Sequence, residues 1–87
     1  MALTLFYGTE CPHCISMEPL VGRLEQEAGI SVERLEVWHN EENAKRLAET
    51  DKGLCGGVPF FYNTETKSFL CGESSYEELK HWAGVHT

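Results

Sequence analysis

Two cysteines three apart, in the stretch Tyr7-Gly8-Thr9-Glu10-Cys11-Pro12-His13-Cys14, stand where a strand pattern gives way to a helical one. Leu3 to Tyr7 is a short apolar run suited to a buried strand, whereas Ile15, Met17, Leu20, Val21, Leu24 and Ala28 recur with helical period. The pair is thereby placed at the amino end of a helix, where unpaired backbone N–H groups and the helix dipole stabilise negative charge. Pro12 fits the first turn, because its missing N–H would have had no partner there. His13, when protonated, adds a positive charge within reach of the Cys11 sulfur. Cysteines in such settings have pKa values of roughly 3.5 to 7.5 instead of about 8.5. A reactive Cys11 and a shielded Cys14 are expected.

Zinc is the competing use of such a pair, but a structural site wants four N or S ligands, usually with a second close pair. Cys55 and Cys71 are sixteen apart and neither has a histidine at ligand spacing. No metal site is expected. A purely structural Cys11–Cys14 bridge would close so short a loop that it would remove little entropy from the unfolded chain. Redox chemistry is the better use. The 87 residues, 41% hydrophobic, suit a single small domain over residues 1–87. A net charge of −7 disfavours nucleic acid and anionic membrane surfaces as partners. The amino terminus from Met1 has no basic flank, so it does not read as a signal peptide, and no stretch approaches the ~20 apolar residues of a membrane span. A soluble cytoplasmic monomer is expected, and in a reducing compartment a Cys-x-x-Cys is more often catalytic than structural.

Pro19 lies inside the first helical pattern and is expected to bend it before it ends at Ala28, with Gly29 as the left-handed stop. Ser31 to Trp38 mixes Val32, Leu35 and Val37 with charged residues, as in a half-exposed edge strand. Asn40 caps a second helix running to about Thr50, with Glu41 and Glu42 in its first turn, Lys45 and Arg46 four residues on, and Ala44, Leu47 and Ala48 as its buried stripe. Strand and helix in alternation imply a parallel pair joined by a crossover helix. Val58 to Tyr62 reads as a strand starting at Pro59, Asn63 to Thr66 as a turn, and Lys67 to Cys71 as the hairpin partner. Ser75 with Glu78 is a capping-box signature for a last helix containing Leu79, Trp82 and Ala83 and stopped by Gly84. The order is βαβαββα.

With Cys11-Pro12-His13-Cys14 after the first strand, Pro19 five residues on, Gly57-Val58-Pro59 at the third strand and Gly72 before the last helix, nearly the whole chain resembles a minimal thioredoxin-superfamily member of glutaredoxin size. The resemblance implies an α/β fold with a four-stranded mixed sheet of order 2-1-3-4 and helices on both faces. It implies a cis Val58–Pro59 bond facing the cysteines, with the Val58 backbone offered to an extended substrate segment. Tyr7 is read as lining the sulfur site or as a packing residue. The implied activity is dithiol–disulfide exchange with protein or low-molecular-weight substrates, Cys11 attacking and Cys14 resolving, with no bound cofactor. The Pro-His dipeptide is similar to that of the strongly oxidising periplasmic member, whose potential is about −120 mV against about −270 mV for thioredoxin.

The chain also departs from both families. Glu10 stands where thioredoxins have Trp, and Leu5 where they have a buried acid. A basic residue usual in glutaredoxins before the first cysteine is missing, and Glu10 and Glu73 are expected to weaken capture of anionic glutathione. The electron donor, whether glutathione or a reductase, is left open. So is the alternative of a glutathione-dependent glutaredoxin or an iron–sulfur dimer. Cys55 is read as an accessory thiol near the site or as a small apolar group, and Cys71 likewise. His39, His81 and His86 are read as solvated, and Phe60, Phe61, Trp38 and Trp82 as core or edge packing.

Overall fold

The computed structural model describes residues 3–85. In chain order the elements are β1 (Leu3–Tyr7), α1 (Pro12–Ala28), β2 (Glu33–Glu36), α2 (Glu41–Asp51), β3 (Phe60–Asn63), β4 (Phe69–Cys71) and α3 (Tyr76–Ala83). The strands form one mixed sheet, β2-β1-β3-β4, with β1 and β2 parallel and the other two pairs antiparallel. This is the fold expected from the resemblance. The parallel pair needs a long connection between its strands, which α1 supplies. β1 is interior, and Leu3, Leu5 and Phe6 are buried on its two faces, which is why it reads as an unbroken apolar run.

One face of the sheet packs Leu5 and Phe61 against Met17, Val21 and Leu24 of α1 and Leu79 and Trp82 of α3. On the other, Phe6, Val37 and Phe60 lie under Ala44 and Leu47 of α2. Ala48 does not join that stripe and is exposed. The buried residue of α2 is instead Asp51, whose carboxylate accepts the N–H groups of Cys55 and Gly56 at 2.6 and 2.8 Å. The helix therefore runs one residue beyond Thr50 and ends at a left-handed Lys52.

β2 is the expected edge strand but is shorter than Ser31 to Trp38, because the N–H of Val32 turns to the Glu25 carboxylate of α1 at 2.8 Å. Arg34 clamps the same carboxylate at 2.9 Å and Glu18 at 2.8 Å, tying β2 to α1. The hydrogen bond from Arg34 holds the Glu25 carboxyl below its usual range. α1 runs through Pro19 to Ala28, where Gly29 adopts a left-handed φ of 66°. At the other end of the chain the capping box of Ser75 and Glu78 is present. Asn63, expected in a turn, ends β3 and is 1% exposed. Its side chain receives the N–H groups of Glu65 and Thr66 and donates to the Trp82 carbonyl, so it pins the turn to α3. His86 lies outside the described residues. No helix among them is long and apolar enough to cross a membrane.

Candidate functional site

Cys11 is the N-cap of α1, as its extended backbone (φ −76°, ψ 114°) and the Pro12 that follows require. Its sulfur accepts the N–H of Cys14 at 3.3 Å, one of the donors that a helix start leaves unpaired. On its other side the Cys11 thiol points at the Val58 carbonyl, 3.9 Å away. The Val58–Pro59 peptide bond is cis. Both cysteines are free thiols and each is 4% exposed. Cys14 is shielded as expected, Cys11 is equally buried, and the two differ in their partners. Burial, and then its hydrogen bond with Cys11, push the Cys14 thiol up to about 12.

The charges around the pair are arranged differently from the sequence reading. Pro12 and His13 are exposed, and His13 Nδ1 lies 3.5 Å from Glu73 Oε1. Any positive charge on His13 is thus shared with a carboxylate from the β4–α3 connection. Glu10 is not a bare charge beside Cys11, because His39 Nε2 meets its carboxylate at 2.7 Å. That contact makes His39 an ion-pair partner rather than a freely solvated residue and holds its pKa above the ordinary value. Glu36 completes this corner, accepting the N–H groups of Thr9 and His39. Glu10, Glu36 and His39 have ligand atoms within 4.8 Å of one another. Their mutual hydrogen bonds and exposure account for that grouping.

Tyr7 is half-buried and lines, with Gly8, Cys14, Ile15 and Arg34, a cleft of about 320 Å³ on the β2 side of the cysteines. Ile15, 61% exposed, and Trp38, 52% exposed, stand near this rim. Trp38 is thus not a core residue. Its indole lies over Gly8, where any Cβ would collide with the ring.

Cys55 and Cys71 require a correction. They are joined in a disulfide, with Cα atoms 5.5 Å apart, so neither is an accessory thiol or a small apolar filler. The β3–β4 register sets Phe60 opposite Cys71, and Gly72 N–H bonds the Pro59 carbonyl at 2.9 Å. The hairpin thereby brings Cys71 alongside the loop that holds Cys55.

Neither family models nor curated proteins give a match to this chain. Among solved structures it is similar to the crystal structure of a glutaredoxin from Archaeoglobus fulgidus, with a TM-score of 0.66 and 20% identity over 95% of this chain and 87% of that one.

Proposed function

The chain has a thioredoxin-like fold, and from that premise we propose that it is a thiol–disulfide oxidoreductase in which Cys11 is the nucleophile and Cys14 the resolving thiol. The observation that carries this reading is the setting of the Cys11 sulfur, between the Cys14 N–H in the first turn of α1 and the Val58 carbonyl before a cis proline. The fold shared with the archaeal glutaredoxin supports the same chemistry. An extended substrate segment would pair with the Val58 backbone beside Pro59, with Tyr7 flanking Cys14, and so be held by main-chain atoms rather than by its sequence. Pro12 fixes the backbone at the first turn, and His13, when protonated, would add a positive charge near the reacting sulfur that it shares with Glu73.

In the reducing direction the Cys11 thiolate attacks one sulfur of the substrate disulfide and expels the other as a thiolate. Cys14 then attacks the Cys11 sulfur, forming the Cys11–Cys14 disulfide and releasing the second substrate thiol. Two electrons pass from the cysteine pair to the substrate, and the two thiol protons end on the released thiols. Run backwards, the steps insert a disulfide. Glu10 and Glu73 on either side of the pair favour a protein or uncharged thiol over anionic glutathione as the reductant.

Replacing Cys14 by serine tests the assignment. Incubated with a peptide disulfide, Cys14→Ser is expected to accumulate a mixed disulfide at Cys11, read by intact mass and peptide mapping; no adduct, or one elsewhere, sinks the reading. The raised Cys14 thiol also sets a pH dependence. Only the thiolate attacks, and below its pKa the thiolate fraction grows about tenfold per pH unit. Resolution of the Cys11 mixed disulfide should therefore accelerate steadily with pH, with no plateau at or below pH 9.0, the ordinary thiol value. Rapid-quench measurement of that step would show an early plateau if the burial of Cys14 did not govern it.

A further inference from the structure

The Cys55–Cys71 disulfide closes a loop that contains Val58, Pro59 and the β3–β4 hairpin. The segment from Lys52 to Pro59 belongs to no helix or strand. Gly53 and Gly56 adopt left-handed φ values of 85° and 78°, and Gly57 follows directly, so the backbone between Cys55 and Val58 has little stiffness of its own. At one end the buried Asp51 carboxylate holds the N–H groups of Cys55 and Gly56; at the other, Pro59 is bonded to Gly72. The disulfide is the covalent link that ties this loop to β4. Its two halves differ in access: Cys71 is exposed and Cys55 half-buried.

We propose that Cys55–Cys71 is a second thiol–disulfide site, attacked by dithiols at Cys71, and that opening it loosens the Gly56-Gly57 span and weakens capture of extended disulfide substrates at Val58. The effect on capture rests on the function proposed above; the site itself does not. One thiolate of the dithiol attacks the Cys71 sulfur, the bond to Cys55 breaks, and Cys55 leaves as a thiolate that takes up a proton. The second thiol of the reagent then attacks the mixed disulfide and releases Cys71 as a thiol. The reagent ends as a disulfide, two electrons having moved to the cysteine pair. The Val58 carbonyl that meets Cys11 is then held on its amino side by the Asp51 contacts and the packing of Cys55 and Val58 against Phe6 and Phe60, without a covalent tie to β4. An extended substrate binds best to a backbone already fixed, since ordering a loose one costs binding free energy.

Two measurements test this independently. The first uses Cys11→Ser/Cys14→Ser, which retains only the second pair, treated with dithiothreitol under native conditions and then alkylated. Cys55 and Cys71 should both be labelled with the far-ultraviolet dichroism unchanged, and amides of residues 54–58 should exchange about tenfold faster, as expected of a loop freed from its tether. Labelling only in denaturant makes the bond a shielded cross-link, and labelling without faster exchange means the disulfide does not hold the loop; either overturns the proposal. The second compares Cys55→Ser/Cys71→Ser with the parent chain. KM for an extended peptide disulfide should rise about tenfold while turnover of hydroxyethyl disulfide, which has no extended main chain to pair with Val58, stays within about twofold. An unchanged KM overturns the link to substrate capture. A parent chain with no Cys11-dependent exchange instead removes the function proposed above, and the labelling experiment still decides the second site.

Discussion

Cys11→Ser is expected to lower disulfide-exchange turnover by on the order of a thousandfold or more, to the background of uncatalysed exchange, with no loss of fold. The two halves of that expectation have separate physical grounds. Cys11 is the N-cap of α1, and its sulfur accepts the Cys14 N–H. Serine is among the best residues at an N-cap, its hydroxyl accepting the same kind of bond, so helix and thermal midpoint should be preserved. What disappears is the sulfur that would attack the substrate disulfide. Alanine would be a poorer control, because losing the cap costs about 1 kcal/mol and would mix a folding effect with a chemical one. Cys14→Ser should behave differently: the first attack survives and only resolution is lost. Steady-state turnover and a melting curve on the same preparation check both halves. Retained turnover in folded Cys11→Ser would remove Cys11 as the nucleophile.

The site was legible in the sequence where its determinants are local. The cap at Cys11, the proline at the first turn, the stop at Gly29 and the capping box at Ser75 are each written within a few residues, and the helices begin and end there. The partners of the charged and sulfur groups were not, because they depend on which strand ends meet. Glu10 and His39 are 29 positions apart and touch because β1 and β2 run parallel, which sets their carboxyl ends side by side. The expected crossover already implied that neighbourhood, and asking which residues follow the two strands would have found the pair. Cys55 and Cys71 needed more. Cys71 lies opposite Phe60 only in the register that the Asn63 turn fixes, and the course of the loop before Val58 is written in glycines that carry no pattern. Pairing among four cysteines does not follow from spacing alone. Ala48 was misread for a related reason: helical period marks residues fit for burial, but whether another element covers them is a tertiary fact.

The stability of this small sheet should hinge on one aromatic contact beneath it. Phe61 is fully buried in β3 and pairs with Leu5 of β1 and Leu70 of β4. Its ring meets Trp82 of α3 edge-on, 5.4 Å between centroids. Phe61→Ala removes that contact and leaves a cavity between sheet and helix, at a cost of about 3–5 kcal/mol. A chain of 87 residues has only ~4–13 kcal/mol in total, at about 0.05–0.15 kcal/mol per residue. In domains of this size each kcal/mol moves the melting temperature by about 4–8 °C, so a fall of roughly 12–40 °C is expected. Trp82→Phe supplies the contrast. The indole Nε1–H of Trp82 is buried with no hydrogen-bond partner among the described residues, a condition that costs about 1–3 kcal/mol. Phenylalanine keeps a ring against Phe61 and removes that donor, while the Trp82 carbonyl that holds Asn63 and Ser68 belongs to the backbone and is untouched. The lost ring volume and the relieved donor then offset each other, and the midpoint should move by no more than about 5–10 °C. Equal, large losses in both variants would mean that the indole is hydrogen-bonded in solution; a small loss in Phe61→Ala would mean that the helix α3 face carries less of the core than its burial implies.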